Sequence, residues 1–472
     1  MRFNSIEFLL FFAIVFFILW GFIKFKNLNK VILLCASYIF YGWWDYRFLF
    51  LMFISSVVDY TVGYYIPKSN NKKLLVGISI FINLGLLMFF KYFNFFIESA
   101  SDLVEMIGFK ANYTTLSIIL PVGISFYTFQ TLSYSLDVYK GKIKPEHDFI
   151  NFLNYVSFFP QLVAGPIERA ATFLPQFRKE RVFSYENAVE GMRLLLYGFF
   201  KKMVIADNVS LRVDLIFSNY QSLSSLELVF GGMLFFIQLY TDFSGYTDIA
   251  RGCAKLLGFD LMRNFRIPQF STSIPEMWSK WHISLTTWFR DYLFLWLAGM
   301  NRKSTLWRII STIILFLVIG FWHGANYTFI VFGLVNGLFF IPRILSRDYK
   351  GLRDFLKFIN THVVINKFVM FLNFIVCSLI VIFFRSPNIT HSYHYFGQIF
   401  SLESFHVQQF TLDILPLCFG FFAFEWIMKE KSHPFDVSGF NPILRKSLYI
   451  GMTIAILLFG YFGEDPFYYF QF

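Results

Sequence analysis

Charged side chains are scarce in this sequence: Asp, Glu, Lys and Arg together make up only 15% of its 472 residues. A water-soluble domain carries about 25%, so the chain lacks the polar surface that would let it fold in water. Cysteine is nearly absent too. Cys35, Cys253, Cys377 and Cys418 are scattered, mostly in apolar runs, with no Cys-x-x-Cys pair. That removes a disulfide framework and a thiolate metal site, and the four read as small core hydrophobes. There is no Gly-x-Ser-x-Gly, no His-Glu-x-x-His and no Walker loop, so serine-hydrolase, zincin and P-loop chemistry lack their signatures. Internal repeats, low-complexity tracts and a polar stretch long enough to fold alone are also missing.

What is present is hydrophobic length. The chain is 56% hydrophobic and 22% aromatic, with a mean hydropathy of +0.55. Repeated apolar runs of about 17–20 residues are those of an all-α polytopic membrane protein. The spans read from these runs are 8–23, 31–44, 48–66, 74–90, 116–138, 149–166, 194–206, 226–240, 283–297, 306–322, 327–342, 369–384, 412–428 and 448–462. The first has no small-residue cleavage site after it and leads straight into another span, so it is expected to be a retained helix. Several runs are short or interrupted by Pro and polar residues. Some are therefore expected to re-enter the same face, which lipid tolerates only where protein or water surrounds the backbone.

The net charge of +11 would suggest nucleic acid in a soluble protein. Here Lys and Arg lie in short loops, where the positive-inside rule accounts for them and no nucleic-acid partner is implied. Lys24, Lys26 and Lys30 put the end of the first run in the cytoplasm. Arg343, Arg347, Lys350, Arg353, Lys429, Lys431, Arg445 and Lys446 read inside, and the loop with His391, His394 and His406 reads outside. The middle, from 149 to 297, does not resolve by charge. Its longest polar intervals, 167–187 and 248–280, are expected to form cytoplasmic surface helices.

Two histidines carry the chemical interest. His323 closes an apolar run in Gly-Phe-Trp-His-Gly-Ala-Asn, and His282 sits upstream in Trp-Ser-Lys-Trp-His-Ile-Ser-Leu. An ionisable imidazole in a membrane is costly, and it is the side chain that moves protons near neutral pH. The plainer reading is a helix-end His323 donating to a carbonyl and an interfacial His282. Trp322, Asn326 and Trp281 flank the two rings. The run Gln238-Leu-Tyr-Thr-Asp242-Phe-Ser244-Gly-Tyr-Thr-Asp248 places carboxylates and hydroxyls at the expected end of a span, either as helix caps or as the polar wall of a cavity. Gln130 lies in the Pro- and Gly-broken stretch 121–131, and 158–169 is a second such stretch; each suits either a substrate passage or small-residue helix packing. Arg290, with Asp291, lies beyond His282 and is equally an interfacial anchor.

These runs, in this order, resemble the membrane-bound O-acyltransferase family, and within it the bacterial alginate O-acetyltransferase type. The resemblance rests on 121–139, on 158–169, on 238–258 with Asp-Phe-Ser-Gly-Tyr-Thr-Asp, and on 264–293 with Trp-His-Ile-Ser-Leu-Thr-Thr-Trp-Phe-Arg-Asp-Tyr-Leu. Phe-Trp-His-Gly-Ala at 321–325 and the closing Tyr-Phe-Gln-Phe at 469–472 complete it. One departure is Ala298-Gly299-Met300-Asn301-Arg302 where that type usually has Gly-Gly-Asn-Arg. The resemblance implies a single domain over 1–472 with a motif-rich core at about 121–337. It also implies a ring of transmembrane and re-entrant helices around a central acyl-transfer tunnel.

By the same resemblance His323 is the active-site histidine and His282 helps line the site, with Trp322, Asn326, Asp242, Ser244, Gln130, Gln238, Trp281 and Arg290 as candidate substrate contacts. The implied donor is a cytoplasmic acyl thioester, acetyl-CoA, used as a substrate with no resident cofactor. The acceptor is a surface polysaccharide or an extracytoplasmic partner protein, and the location is the bacterial inner membrane. In this reading His323 is the general base, and His282 or a backbone donor nearby stabilises the oxyanion. Arg251, Lys255, Arg263 and Arg266 are candidates to meet the acidic donor, or plain positive-inside anchors. Transfer of D-alanine from a carrier protein to teichoic acid, and a non-enzymatic polysaccharide transporter, are the competing readings.

Overall fold

Long apolar runs started by a polar cap fold here as helices. Ser5, Asn71, Asp148, Ser304, Asn388 and Asn441 each accept a backbone N–H from the first turn of the helix they precede, which satisfies donors the helix leaves open. The computed structural model describes residues 1–109, 115–163, 165–402, 404–431, 433–462 and 468, and no strand occurs among them. Ala164 and the closing 469–472 run lie outside the described residues.

Eight helices among the described residues are long and apolar enough to cross a membrane: Arg47–Lys68, Lys72–Met106, Ser225–Leu256, Thr305–His323, Tyr327–Leu345, Val363–Arg385, Gln409–Met428 and Pro442–Phe459. Helix Ile6–Gly21 is shorter, at 16 residues. Several expected spans are broken instead. In 116–138 only Ile124–Tyr139 is helical, because Pro121 and a left-handed Gly123 (φ 77°) precede it. The 149–166 run divides into Phe149–Ser157 and Phe159–Leu162, and 151–163 is buried throughout. The 283–297 run splits into Ile283–Phe289, a π-helical Arg290–Phe294 and Leu295–Gly299. In 151–163 the irregular backbone persists because protein, and not lipid, surrounds it.

Two expectations are corrected. The helix expected to end at 240 runs on to Leu256, so Asp242 and Asp248 are interior residues and not caps. The 248–280 interval is also no surface helix: Ile249, Ala250, Cys253, Leu257, Asn264, Phe265 and Ile267 are all buried. An interior carboxylate is tolerated because each has a cation beside it, as described below.

The chain divides into two compact units, Met1–Met192 with Ala250–Met262, and Arg193–Ile249 with Arg263–Phe472. The first is tied together by a buried polar cluster. Asp59 accepts from Ser79, from Ser135 Oγ at 2.6 Å and from Asn83 Nδ2 at 2.7 Å, while Ser55 Oγ donates to Asn83 Oδ1 at 2.7 Å. Three helices, Arg47–Tyr65, Lys72–Leu87 and Ile124–Tyr139, meet at this one carboxylate. Around its edge Lys30 pairs with Asp148 at 2.7 Å and Arg178 with Glu146 at 2.6 Å.

The second unit holds a helix pair in backbone contact. A Cβ on Gly320 would lie 2.1 Å from Phe329 O, and one on Gly333 would lie 2.2 Å from Phe316 O. No rotamer relieves a clash with backbone, so Gly320→Val should cost at least the overpacking penalty of about 1–3 kcal/mol. The thermal midpoint of the detergent-extracted protein, read by size-exclusion recovery after heating, should fall for Gly320→Val. It should hold for Gly299→Ala, whose added Cβ meets nothing within 4 Å.

Candidate active site

His323 is the last residue of helix Thr305–His323 and is 3% exposed. His282 is fully buried and sits in the left-handed region, with φ 42° and ψ 53°. That conformation is costly for a side chain with a Cβ, and the surroundings hold it in place. Ile283 N donates to Asn264 O at 2.9 Å. Ser284 donates to Asn264 Oδ1 from both N and Oγ, at 3.0 and 2.9 Å. Thr286 N and Oγ1 both donate to His282 O, at 3.0 and 3.1 Å. Asn264 is therefore the latch that fixes the turn on which His282 stands.

The two imidazoles are joined through one indole. Ring centroids lie 5.9 Å apart for His282 and Trp322, and 5.0 Å apart for Trp322 and His323. Phe243 at 4.7 Å covers His282, while Phe384 at 5.0 Å and Phe332 at 6.0 Å cover His323. Beside His323 is a cavity of about 20 Å³, lined by Phe236, Trp281 and Asn336 among others, with room for about one water. His282 lies outside the eight spanning helices. Burial pulls its imidazole down to about 3, because a charged ring has no solvent there. It is neutral at physiological pH.

A second, polar cavity of about 250 Å³ lies in the same unit, lined by Lys202, Asp207, Asp214, Gln238, Asp242 and Arg385 among others. Lys202 Nζ is 2.8 Å from both Asp242 and Asp207, and Lys201 Nζ is 2.6 Å from Asp248 and 3.0 Å from Ser244 Oγ. The buried charged residues that sequence reasoning missed are these two lysines and Glu425. Glu425 accepts from Tyr197 at 3.0 Å, from Tyr240 at 2.9 Å and from Gln269. The signal was available: three charges inside apolar helical runs, where an ionisable residue is expensive.

The structure brings His282, His323, Trp322 and Trp281 together, and it sets Gln238 and Asp242 around the polar cavity. Ser244 is engaged by Lys201. Asn326 caps helix Tyr327–Leu338 and donates to Pro387 O at 2.8 Å, while Arg290 is half-exposed and rests on Asp291 at 2.8 Å. Gln130 belongs to the first unit, donating to Tyr155 O at 2.5 Å and accepting from Gln161 at 2.7 Å. Of the four expected donor-meeting cations, Arg251 donates to Leu261 O, Lys255 pairs with Asp260 and Glu190, and Arg263 donates to Phe265 O. Only Arg266 is exposed. No group of three His, Cys, Asp or Glu residues is placed to hold a metal ion among the described residues.

The family model for the membrane-bound O-acyltransferase family matches residues 143–386. The chain is 32% identical to "Probable alginate O-acetylase AlgI" of Pseudomonas putida over 503 residues, covering all of both chains. It is 38% identical to the protein of the same description from Pseudomonas aeruginosa over 344 residues, 72% of this chain and 65% of that protein, slightly under two thirds of its length. It is 30% identical to "Peptidoglycan O-acetyltransferase" of Helicobacter pylori over 508 residues, 97% of this chain and 94% of that one.

The depressed pKa of His282 has a consequence for stability. The unfolded chain binds a proton at an ordinary histidine pKa of about 6.5 and the folded one does not. The contribution is therefore fully present above about pH 6.5 and is lost as the pH falls below it, by up to about 1.4 kcal/mol per pH unit. Thermal midpoints between pH 7.5 and 5 should fall more steeply for wild type than for His282→Asn, which keeps a residue tolerant of the left-handed region and removes the titration.

Proposed function

Because the chain belongs to the membrane-bound O-acyltransferase family, we propose that it moves an acetyl group from cytoplasmic acetyl-CoA across the bacterial inner membrane. The acceptor is a hydroxyl of an extracytoplasmic polysaccharide, reached directly or through a partner protein. Family membership makes the chain a multi-pass membrane acyltransferase and sets aside the transporter reading. The observation that carries the mechanism is the buried ladder His282–Trp322–His323, with centroid spacings of 5.9 and 5.0 Å.

In this reading the His323 ring takes the proton of the attacking hydroxyl as its oxygen bonds to the acyl carbon. The tetrahedral intermediate then collapses, the carbon–sulfur bond breaks, and the imidazolium returns the proton to the leaving thiolate. His282, neutral and fixed by Asn264, fits a donor to the oxyanion, since a preset donor in a dry site needs no reorganisation during the reaction. The cavity beside His323 holds about one water, so the acyl group enters only as side chains there part. Arg266, exposed, is the candidate to meet the donor phosphates.

Acetyl is favoured over D-alanyl by the span of the likenesses. Two relatives described as acetylating enzymes, from Pseudomonas putida and Helicobacter pylori, align over nearly the whole chain and the one from Pseudomonas aeruginosa over 72% of it, whereas "Teichoic acid D-alanyltransferase" of Bacillus subtilis aligns over 46% of it. The test is alkali-released acetate from the envelope of a strain lacking this chain, restored with wild type or His323→Ala at matched membrane levels. Wild type should restore acetate, and His323→Ala should reduce it by about 10²–10⁴-fold, the usual worth of a general base. Full restoration by the variant removes His323 as base. Release of D-alanine in place of acetate reassigns the acyl group.

A further inference from the structure

Away from the histidines, the second unit carries an open groove of about 460 Å³ between helices Ser225–Leu256, Val363–Arg385 and Gln409–Met428. Its walls are apolar, with Phe230, Met233, Phe374, Leu415, Phe422 and Trp426 among the lining residues. From Leu415 to Trp426 the wall runs about 16 Å along one helix at 1.5 Å per residue. Polar groups gather at the Trp426 end only. Lys429 Nζ stands 3.7 Å from the Trp426 ring and Lys367 Nζ 5.6 Å from the same ring. Gln269, 3% exposed, lines the groove, and its Oε1 accepts no hydrogen bond among the described residues.

We propose that this groove holds one acyl chain of an anionic phospholipid of the surrounding bilayer, with the phosphate between Lys367 and Lys429 at the Trp426 end. Three features select that occupant. The groove is apolar and follows one helix for about 16 Å, room for an extended hydrocarbon chain. Its polar end pairs an indole with two exposed ammonium groups, the combination found where a membrane protein meets headgroups. The neighbouring helix Lys350–Thr361 is amphipathic, with Lys350, Arg353 and Lys357 beside exposed Phe355 and Phe358. It packs against Val363–Arg385 just before Lys367, so this side of the unit is built for an anionic surface.

The groove shares a wall with the histidine site. Phe374 lines it and contacts Phe236 at 5.5 Å, and Phe236 contacts Trp281, the residue before His282, at 5.6 Å. Gln269 donates to Glu425, which also holds Tyr240, and Tyr240 packs on Trp281 at 6.3 Å. A lipid chain here supports the back of the wall on which Trp281 and His282 stand.

The experiment is native mass spectrometry of the full-length protein exchanged into mixed micelles with dioleoyl-phosphatidylglycerol or dioleoyl-phosphatidylcholine. Wild type should retain one phosphatidylglycerol in preference to phosphatidylcholine by about 30-fold, from two lysines at one anionic headgroup. Lys367→Glu with Lys429→Glu, both exposed and so compatible with folding, should abolish that preference. Cys418→Trp, which fills the groove from its wall, should lower retention of both lipids. Equal retention of the two lipids by wild type, undiminished preference in the lysine variant, or unchanged retention in Cys418→Trp would each overturn the proposal. The readout is bound lipid and not acyl transfer, so it stands or falls apart from the proposed activity.

Discussion

A charge buried inside a helical membrane protein needs partners in hydrogen-bond reach, and this requirement organises the second unit. Lys202 sits between Asp207 and Asp242, Lys201 beside Asp248, and Glu425 among two phenols and an amide. Taking each group out of bulk water is costly, and these partners in hydrogen-bond reach offset that cost. Removing one member would strand the others. These pairs fasten the interior of Ser225–Leu256 to the π-helical turn Phe200–Ala206 and to the helix bearing Glu425, and against that frame the aromatic walls of the histidine site are stacked.

The site itself follows a different rule. Around His282 and His323 the neighbours are rings: Phe243, Phe265, Trp322, Phe332 and Phe384. Desolvation by this shell keeps His282 neutral. A neutral imidazole held in dry surroundings is a fixed dipole, and its N–H interacts more strongly there with any negative charge than it would in water. The polar residues are kept apart in the larger cavity around Gln238 and Asp242.

Much of this was legible from residue order alone. The apolar runs announced a helical membrane protein, and an imidazole at the end of one of them drew attention to His323. His282 was singled out with it as a second imidazole at a membrane edge, and the resemblance supplied the role of each, since some forty residues separate them and no periodicity relates them. What stayed hidden has physical causes. The Asp242–Asp248 run looked like a helix terminus because two carboxylates inside an apolar helix are unfavourable until partners are known, and those partners, Lys201 and Lys202, lie about forty residues away. The interval around 248–280 looked like a surface because its Arg and Lys were counted as solvated, whereas Arg251 turns inward to a carbonyl and Lys255 is tied to two carboxylates. Asn264 carried no signal at all, since a latch shows only once the backbone it holds is seen.

The glycine contact between Thr305–His323 and Tyr327–Leu345 has a mechanical meaning. With Gly320 and Gly333 bringing main chain against main chain, neither helix can slide or tilt against the other without a backbone collision. His323, three residues from that contact, is mounted on a helix end braced by main chain. A substrate that needs space beside its ring must displace the facing wall, Phe236, Trp281 and Phe384, while the imidazole keeps its position. His323 is the fixed jaw of this pocket and the aromatic wall is the one that must give.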